Sequence, residues 1–504
     1  MMKSTLPDAF NSQLTLDERP PVWRDPWIWV ALAVGLALRV WEAAESSLWF
    51  DELISLRRAS MPDPQAVVNS VGGTLHTPLF FVALQLAGDF SSGAWLRVVP
   101  VLSSLLLVLL AVLFARSLGW NRDSTRAAAL LMAVMPYQVH YGAELRPYAW
   151  LAVTSAAAAW LVLTPRRSPW RDLALFAAVA LLGLANHRAM AITLVGLALA
   201  RIVVRGPRLI ALVPLGVAGA LAMLPFLEFF VEFAMASRKD LASRAWRLGE
   251  VDMGPKMLKN LALVPLRLLE PRFGMLGPGW MQLALVSTLA VLATTGLGLI
   301  SWVRTRPRWS PTGWGLLILA GTGFLLLTAL QLERRGAVAV QQYAGVAWIA
   351  PLALVACLQA VRSEGRRRAL LAVLVLGGLG MGIALAGGHS RSELRGGVAL
   401  AQSWAEEMRA QRSGSEAAPL FTAFVPGPPN TYASNLLYKA WAPDLQVTEP
   451  KDLPRPDEPG HKQPILALMV ILTEPYAEPE LPGRIVTRRQ ELDRYVKLLL
   501  YEAN

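Results

Sequence analysis

Residues 98–114 read VVPVLSSLLLVLLAVLF, with no charge anywhere in the run. A run of roughly 17–25 apolar residues matches the ~30 Å hydrocarbon core of a bilayer. Residues 370–386, LLAVLVLGGLGMGIALA, read the same way. Working outward from these two, similar runs occur near 27–44, 127–142, 147–164, 172–187, 189–204, 209–227, 280–303, 313–331 and 343–361. With the runs near 97–116 and 369–387 they make about eleven spans. The whole chain agrees: of 504 residues 54% are hydrophobic and 17% charged, with a mean hydropathy of +0.41. A soluble protein carries about a quarter charged residues. These features exclude a soluble enzyme with a single anchor and predict a polytopic membrane protein.

The net charge is +12 and the pI about 10.1. Nucleic acid is not the implied partner, because the arginines concentrate in short loops between apolar runs instead of along one face. Cys357 is the single cysteine, so no disulfide forms within the chain. The first run, Pro26–Ala44, follows a stretch carrying Asp8, Asp17, Glu18 and Asp25. That is a poor leader sequence, and the reading is an uncleaved first span.

Charge also sets the expected topology. One set of alternate loops carries Arg116, Arg122 and Arg126, then Arg166, Arg167 and Arg171, then Arg201, Arg205 and Arg208. It continues with Arg304, Arg306 and Arg308, and with Arg362 and Arg366–Arg368. The other set holds only Glu144/Arg146, Arg188 and Glu333/Arg334/Arg335. Arginine-dense loops stay in the cytoplasm. The expectation is therefore an inner-membrane protein with a cytoplasmic N-terminal segment, 1–26, and a membrane domain, 27–387. Loops 45–96 and 228–279 and a tail from 388 to 504 are expected outside. Thr77–Gly88 is apolar but too short to span, and reads as an interfacial helix. In the tail, a helix at Glu393–Ala410, strands at Leu420–Phe424 and Ile465–Leu472, a helix at Asn430–Lys439 and a final amphipathic helix at Gln490–Glu502 predict a small α/β domain.

Three clusters at the expected outer ends of spans can carry chemistry. Asp51 and Glu52 follow the first span, flanked by Trp49, Phe50, Leu53 and Ile54. An apolar setting raises a carboxylate's pKa and suits it to take a proton from a nucleophile; as ordinary structure, the pair reads as first-turn helix acids. Tyr141-Gly-Ala-Glu144-Leu-Arg146-Pro147-Tyr148 sits between two spans. Arg146 there offers a planar fork to a phosphate; the plain alternative is a hairpin with belt tyrosines. The histidines form the third group: His76 opens the interfacial segment and His187 precedes Arg188 at a turn, whereas His140 and His389 show no evident partner. Their spacing matches no metal-ligand pattern.

Together these motifs resemble the GT-C-fold glycosyltransferases that use polyprenyl-phosphate sugars, the group containing protein O-mannosyltransferases and aminoarabinose transferase of lipid A. The resemblance runs through Ser47-Leu-Trp-Phe-Asp51-Glu52, His76-Thr77-Pro78-Leu79-Phe80, Arg97-Val-Val-Pro100 and Tyr141–Tyr148, in that order, over residues 25–205. Arg391–Glu407 is similar to the helix that often begins the family's outer tail. Two positions depart: Thr77 stands where the family has a proline, and Gln341-Gln342-Tyr343 where it often has Arg-Tyr. Arg334 or Arg335 lies near enough in sequence to replace that arginine.

The resemblance implies an all-α polytopic GT-C-like fold and inverting transfer from a polyprenyl-phosphate sugar to a lipid, glycan or protein. Asp51 is implied as general base, with Glu52 or Glu144 orienting the acceptor or holding a divalent cation. Metal dependence stays open, Asp51 and Glu52 being the ligands if a cation is held. Arg146, with Arg97 or Arg188, stabilises the leaving phosphate. His76, Tyr148, His187 and Tyr343 complete the implied substrate contacts. Two rival readings are a lipid-linked-sugar transporter or flippase and a non-catalytic assembly protein. The first needs ionisable groups within spans, whereas most charges here sit at span ends.

Overall fold

The structure, a computed structural model, describes residues 21–46, 50–71, 76–88, 93–164, 169–205, 278–305, 310–333, 343–387, 394–411, 419–424, 446–447, 464–470, 484–493 and 496–503, with isolated positions at 216–217, 224 and 227. Outside the described residues lie the segment 1–20, Ser47-Leu48-Trp49, most of the span expected near 209–227, Arg334, Arg335, Gln341, Gln342, His389 and the helix expected at Asn430–Lys439. The loop expected at 228–279 is outside them as far as residue 277, and its last two positions open a helix. The chain forms two compact units: residues 1–42, 71–80 and 99–389, and residues 43–70, 81–98 and 390–504.

The first unit is helical. It holds most of α1 (Pro26–Glu45), which precedes α2 (Phe50–Ala59), α3 (Pro64–Ser70), α4 (Leu79–Ala87) and α5 (Gly93–Leu96) in the chain. It continues with α6 (Val98–Ser117), α7 (Arg122–Val134), α8 (Pro136–Ala143), α9 (Tyr148–Leu163), α10 (Pro169–Asn186) and α11 (Met190–Arg205). After the undescribed stretch come α12 (Pro278–Thr305), α13 (Pro311–Glu333), α14 (Ala344–Ala347), α15 (Ile349–Leu358) and α16 (Glu364–Gly387). Among the described residues, α1, α6, α12, α13 and α16 are long and apolar enough to cross a membrane, and 148–163, 190–202 and 344–358 are shorter apolar helices. Leu285, Val286, Leu289, Leu292, Ile300 and Val303 of α12 are exposed. A helix apolar all round, with leucines and valines on its open face, is one that faces lipid.

Two expected single spans are each broken in two. The run near 127–142 is α7 and α8, parted at Met135, whose backbone is extended (φ −60°, ψ 131°). Pro136 has no N–H for the Met132 carbonyl, so the helix cannot continue through it. The freed carbonyls are taken by Arg39 of α1, wholly buried, which donates to Ala133 O at 2.8 Å and Met132 O at 3.4 Å. Its other N–H groups go to Gly35 O at 2.9 Å and Ser104 Oγ at 2.7 Å. A cation at the C-terminal end of α7 also meets the negative end of its dipole. The run near 343–361 divides at Trp348, between α14 and α15. There Pro351 withholds the N–H that Ala347 O would receive.

Close approach is made by glycines on α16. A Cβ added at Gly378 would stand 3.0 Å from the Leu131 side chain, and one at Gly377 would stand 3.0 Å from the Ser287 carbonyl. Small residues let helix backbones approach where burial from water supplies no drive between them.

In the second unit, α17 (Leu394–Gln411) packs on a five-stranded sheet of order β2-β1-β3-β5-β4. The strands are β1 (Leu420–Phe424), β2 (Gln446–Val447), β3 (Ile465–Val470), β4 (Arg484–Asp493) and β5 (Val496–Ala503). β1 is parallel to β2 and β3, while β5 is antiparallel to β3 and β4. The final amphipathic helix expected at Gln490–Glu502 is therefore corrected to the end of β4 and β5. Leu498, Leu499, Leu500 and Tyr501 are all buried. A central strand covered on both faces shows a continuous apolar run, which periodicity alone does not separate from a helix.

Candidate active site at the ends of α8, α9 and α10

α8 ends at Ala143, and Glu144-Leu145-Arg146-Pro147 turns the chain into α9. The turn is short and fixed: Arg146 N–H donates to Glu144 O at 2.7 Å, and Asn186 Nδ2 at the end of α10 donates to Pro147 O at 2.9 Å. The end of α10 also binds the segment before α4. Thr77 Oγ donates to Leu184 O at 2.7 Å, Thr77 N–H to Asn186 O at 3.4 Å, and His76 forms an isolated antiparallel bridge with His187. Proline at position 77 could make neither bond, which accounts for the threonine there.

These stitches bring together four residues singled out in the sequence. Arg146 Nη2 lies 2.7 Å from His76 Nε2. A guanidinium only donates, so His76 Nε2 accepts and its proton is on Nδ1. The Arg146 guanidinium lies over the Tyr148 ring, 5.7 Å from its centre. The His76 and His187 rings meet edge-on at 5.0 Å, and Tyr148 and His187 at 5.9 Å. Glu144 and Arg188 are buried at the same turns.

The chemical state of His187 follows from its neighbours. Its Nδ1 accepts the Ala189 N–H at 3.1 Å, which leaves the proton on Nε2. Burial, then the charges of Arg146 and Arg188, pushes its pKa down to about 3, so the ring is neutral at physiological pH. The Nε2–H is buried and has no hydrogen-bond partner among the described residues. A neutral donor between two arginines suits an anionic or hydroxyl oxygen.

In the second unit, Glu52 and Arg97 bind each other. Arg97 Nε is 3.0 Å from Glu52 Oε1 and Nη2 is 2.7 Å from Oε2, both side chains being buried. Arg97 Nη1 donates to Ala43 O at 2.6 Å and Ser46 O at 2.7 Å. The pair thus ties the first turn of α2 to the end of α1. Asp51 stands in that same first turn. Both Glu52 carboxylate oxygens are thus held by that guanidinium. Among the described residues no group of three His, Cys, Asp or Glu could hold a metal ion.

The Tyr343 hydroxyl meets Thr328 at 2.9 Å and its ring Phe324 at 5.4 Å. His140, partnerless on sequence, has Nδ1 3.2 Å from Glu42 Oε1 of α1. Arg39 and Glu42 are the ionisable residues that sequence reasoning passed over. Their signal was present, as charges inside an otherwise apolar first run.

No protein-family model matches this chain, and no curated protein sequence does. Solved structures do match. The crystal structure of ArnT from Cupriavidus metallidurans in the apo state aligns over 94% of this chain and 97% of its own, at 14% identity and a TM-score of 0.54. The structure of ArnT from the same organism bound to undecaprenyl phosphate aligns over 94% and 98%, at 15% identity and a TM-score of 0.55. Near-complete coverage of both chains with little shared sequence is a likeness of fold. The chain is therefore a multi-pass helical membrane protein with the GT-C fold, the fold of the aminoarabinose transferase ArnT.

Proposed function

We propose that this protein transfers a sugar from a polyprenyl-phosphate donor to a lipid, glycan or protein acceptor at the outer face of the inner membrane. The observation that carries this reading is the buried Nε2–H of His187, set beside Arg146 and Arg188 where α8 and α10 end and α9 begins. Cations and a neutral donor at one helix-end cluster suit a phosphate whose charge grows as the sugar leaves. The shared fold with a protein solved with undecaprenyl phosphate bound supports the same ligand class.

In the reaction, an acceptor oxygen or nitrogen attacks the anomeric carbon from the face opposite the phosphate. The carbon–oxygen bond to phosphate breaks, the acceptor proton passes to the Asp51 carboxylate, and polyprenyl phosphate departs with the bonding pair. Arg146, oriented by His76 and Tyr148, and Arg188 stabilise that leaving charge. Glu52 has a positioning role: clamped by Arg97, it fixes the turn that carries Asp51. Glu144 orients the acceptor.

The test is transfer by the purified chain in liposomes charged with polyprenyl-phosphate sugars. Asp51→Asn lowers transfer by about 10²–10⁴-fold while undecaprenyl phosphate is still retained. Near-wild-type transfer by that variant overturns the base assignment. Comparing lipids and glycans of cells with and without the chain by mass spectrometry identifies sugar and acceptor; no difference in any glycan or lipid overturns the transferase reading.

A further inference from the structure

The end of α10 is held firmly through its backbone. His187 N–H donates to Gly183 O at 2.9 Å, Thr77 Oγ to Leu184 O at 2.7 Å and Thr77 N–H to Asn186 O at 3.4 Å. Past the turn, Met190 N–H donates to His187 O and Ala191 N–H to Arg188 O, both at 3.0 Å. The two side chains at this end are oriented just as firmly. Asn186 Nδ2 donates to Pro147 O at 2.9 Å. A carbonyl only accepts, so the amide nitrogen is the atom facing Pro147, and Oδ1 is the other. His187 Nδ1 accepts the Ala189 N–H, which puts the ring proton on Nε2.

One polar atom on each of these consecutive residues stays unmet. Asn186 Oδ1 and His187 Nε2 are buried without a hydrogen-bond partner among the described residues, and both residues are wholly buried. An unmet buried polar atom is costly, and its need for a partner calls for an explanation. The two needs differ: Nε2–H requires an acceptor, whereas Oδ1 requires a donor. The ionised phosphate of a polyprenyl-phosphate sugar has acceptor oxygens only, and its tail is hydrocarbon. Such a ligand meets His187 through its phosphate, but it meets Asn186 only through an O–H or N–H of its sugar. The charges of Arg146 and Arg188 act on His187. The same positive charge disfavours an ammonium at the adjoining residue. A neutral hydroxyl is the donor that remains.

We infer that Asn186 recognises a hydroxyl of the donor's sugar, the O–H donating to Asn186 Oδ1 while a phosphate oxygen of the same donor accepts from His187 Nε2–H. This rests on the transferase reading above and adds to it that the sugar carries a neutral hydroxyl close to its phosphate. The two residues then read the two halves of the donor, His187 the anion and Asn186 the sugar. Once the sugar has left, polyprenyl phosphate meets His187 alone, so the spent lipid is held less tightly than the donor.

The experiment uses the purified full chain in detergent, with bound adducts counted by native mass spectrometry. The probes are undecaprenyl phosphate without a sugar, the same lipid carrying glucose, mannose or arabinose, and the matching amino sugars. At least one neutral sugar form is expected to be retained about tenfold over the bare lipid phosphate, and over its amino counterpart. Asn186→Leu abolishes that preference and keeps retention of the bare lipid phosphate. Asn186→Asp loses the bond to Pro147 O as the leucine variant does, but it keeps an accepting oxygen and so keeps the preference. Because the preference is a ratio within one protein, a general loss of binding does not mimic it. Equal retention of bare and sugar-bearing lipids by the unsubstituted chain, or stronger retention of an amino form, would overturn the proposal. So would loss of the preference in both variants, or an unchanged preference in Asn186→Leu, the result if only a bound water meets Oδ1. Failure of the unsubstituted chain to retain even bare undecaprenyl phosphate would instead sink the transferase reading, and this inference with it.

Discussion

Two buried arginines in one stretch of helices, Arg39 at the break between α7 and α8 and Arg146 at the turn between α8 and α9, meet different partners. Arg39 is given to four protein oxygens, two of them carbonyls released by Pro136. Arg146 meets the accepting nitrogen of a neutral imidazole and the face of Tyr148. A guanidinium satisfied by carbonyls repairs a helix. The other meets a neutral ring and an aromatic face, beside a buried His187 donor. Burial alone therefore does not tell what an arginine binds in this protein; its partners do.

The contrast can be tested by exchanging what each arginine loses. Arg146→Gln is expected to lower sugar transfer by about 10²–10³-fold, with the thermal midpoint little changed. Loss of folding in step with activity would make Arg146 another structural arginine. Arg39→Met does the reverse: orphaned carbonyls at the break lower stability by about 2–4 kcal/mol, while transfer per folded molecule is kept. Thermal unfolding in detergent and transfer assays on the same sample measure both.

The pH response gives a finer probe. The folded pKa of His187, about 3, lies below the ordinary value of 6.5. Between those values the unfolded chain binds the extra proton, so stability falls as pH drops from 6.5 toward 3. His187→Gln removes this site's contribution and flattens the acid limb of a plot of unfolding midpoint against pH; an unchanged limb would show the ring already charged in the fold. The smallest effect belongs to Thr77→Val, which loses the bond to Leu184 O and is expected to cost about 1 kcal/mol. A loss of transfer far beyond that cost would move Thr77 from scaffold to site.

Much of the candidate cluster was legible. His76, Arg146, Tyr148 and His187 were picked out as polar or aromatic residues at span ends, and the structure joins all four. Glu52 and Arg97 were also picked out, yet their pairing across 45 positions of sequence was not visible. Neither was the Glu42–His140 contact, 98 positions apart. Periodicity also misread the last strand, because β5 is covered on both faces by contacts that its own sequence does not record.

By itself the sequence determined that this is a polytopic membrane protein. Uncharged runs long enough to cross a bilayer have few other low-energy environments, and that constraint is local to each run. It determined as well which span ends carry polar chemistry, since polar side chains avoid the hydrocarbon region. Only the tertiary structure decided what each charge is for. Whether an arginine closes a broken helix, clamps a carboxylate or meets a neutral histidine depends on which oxygen or nitrogen the fold brings within about 3 Å, and those partners come from distant parts of the chain.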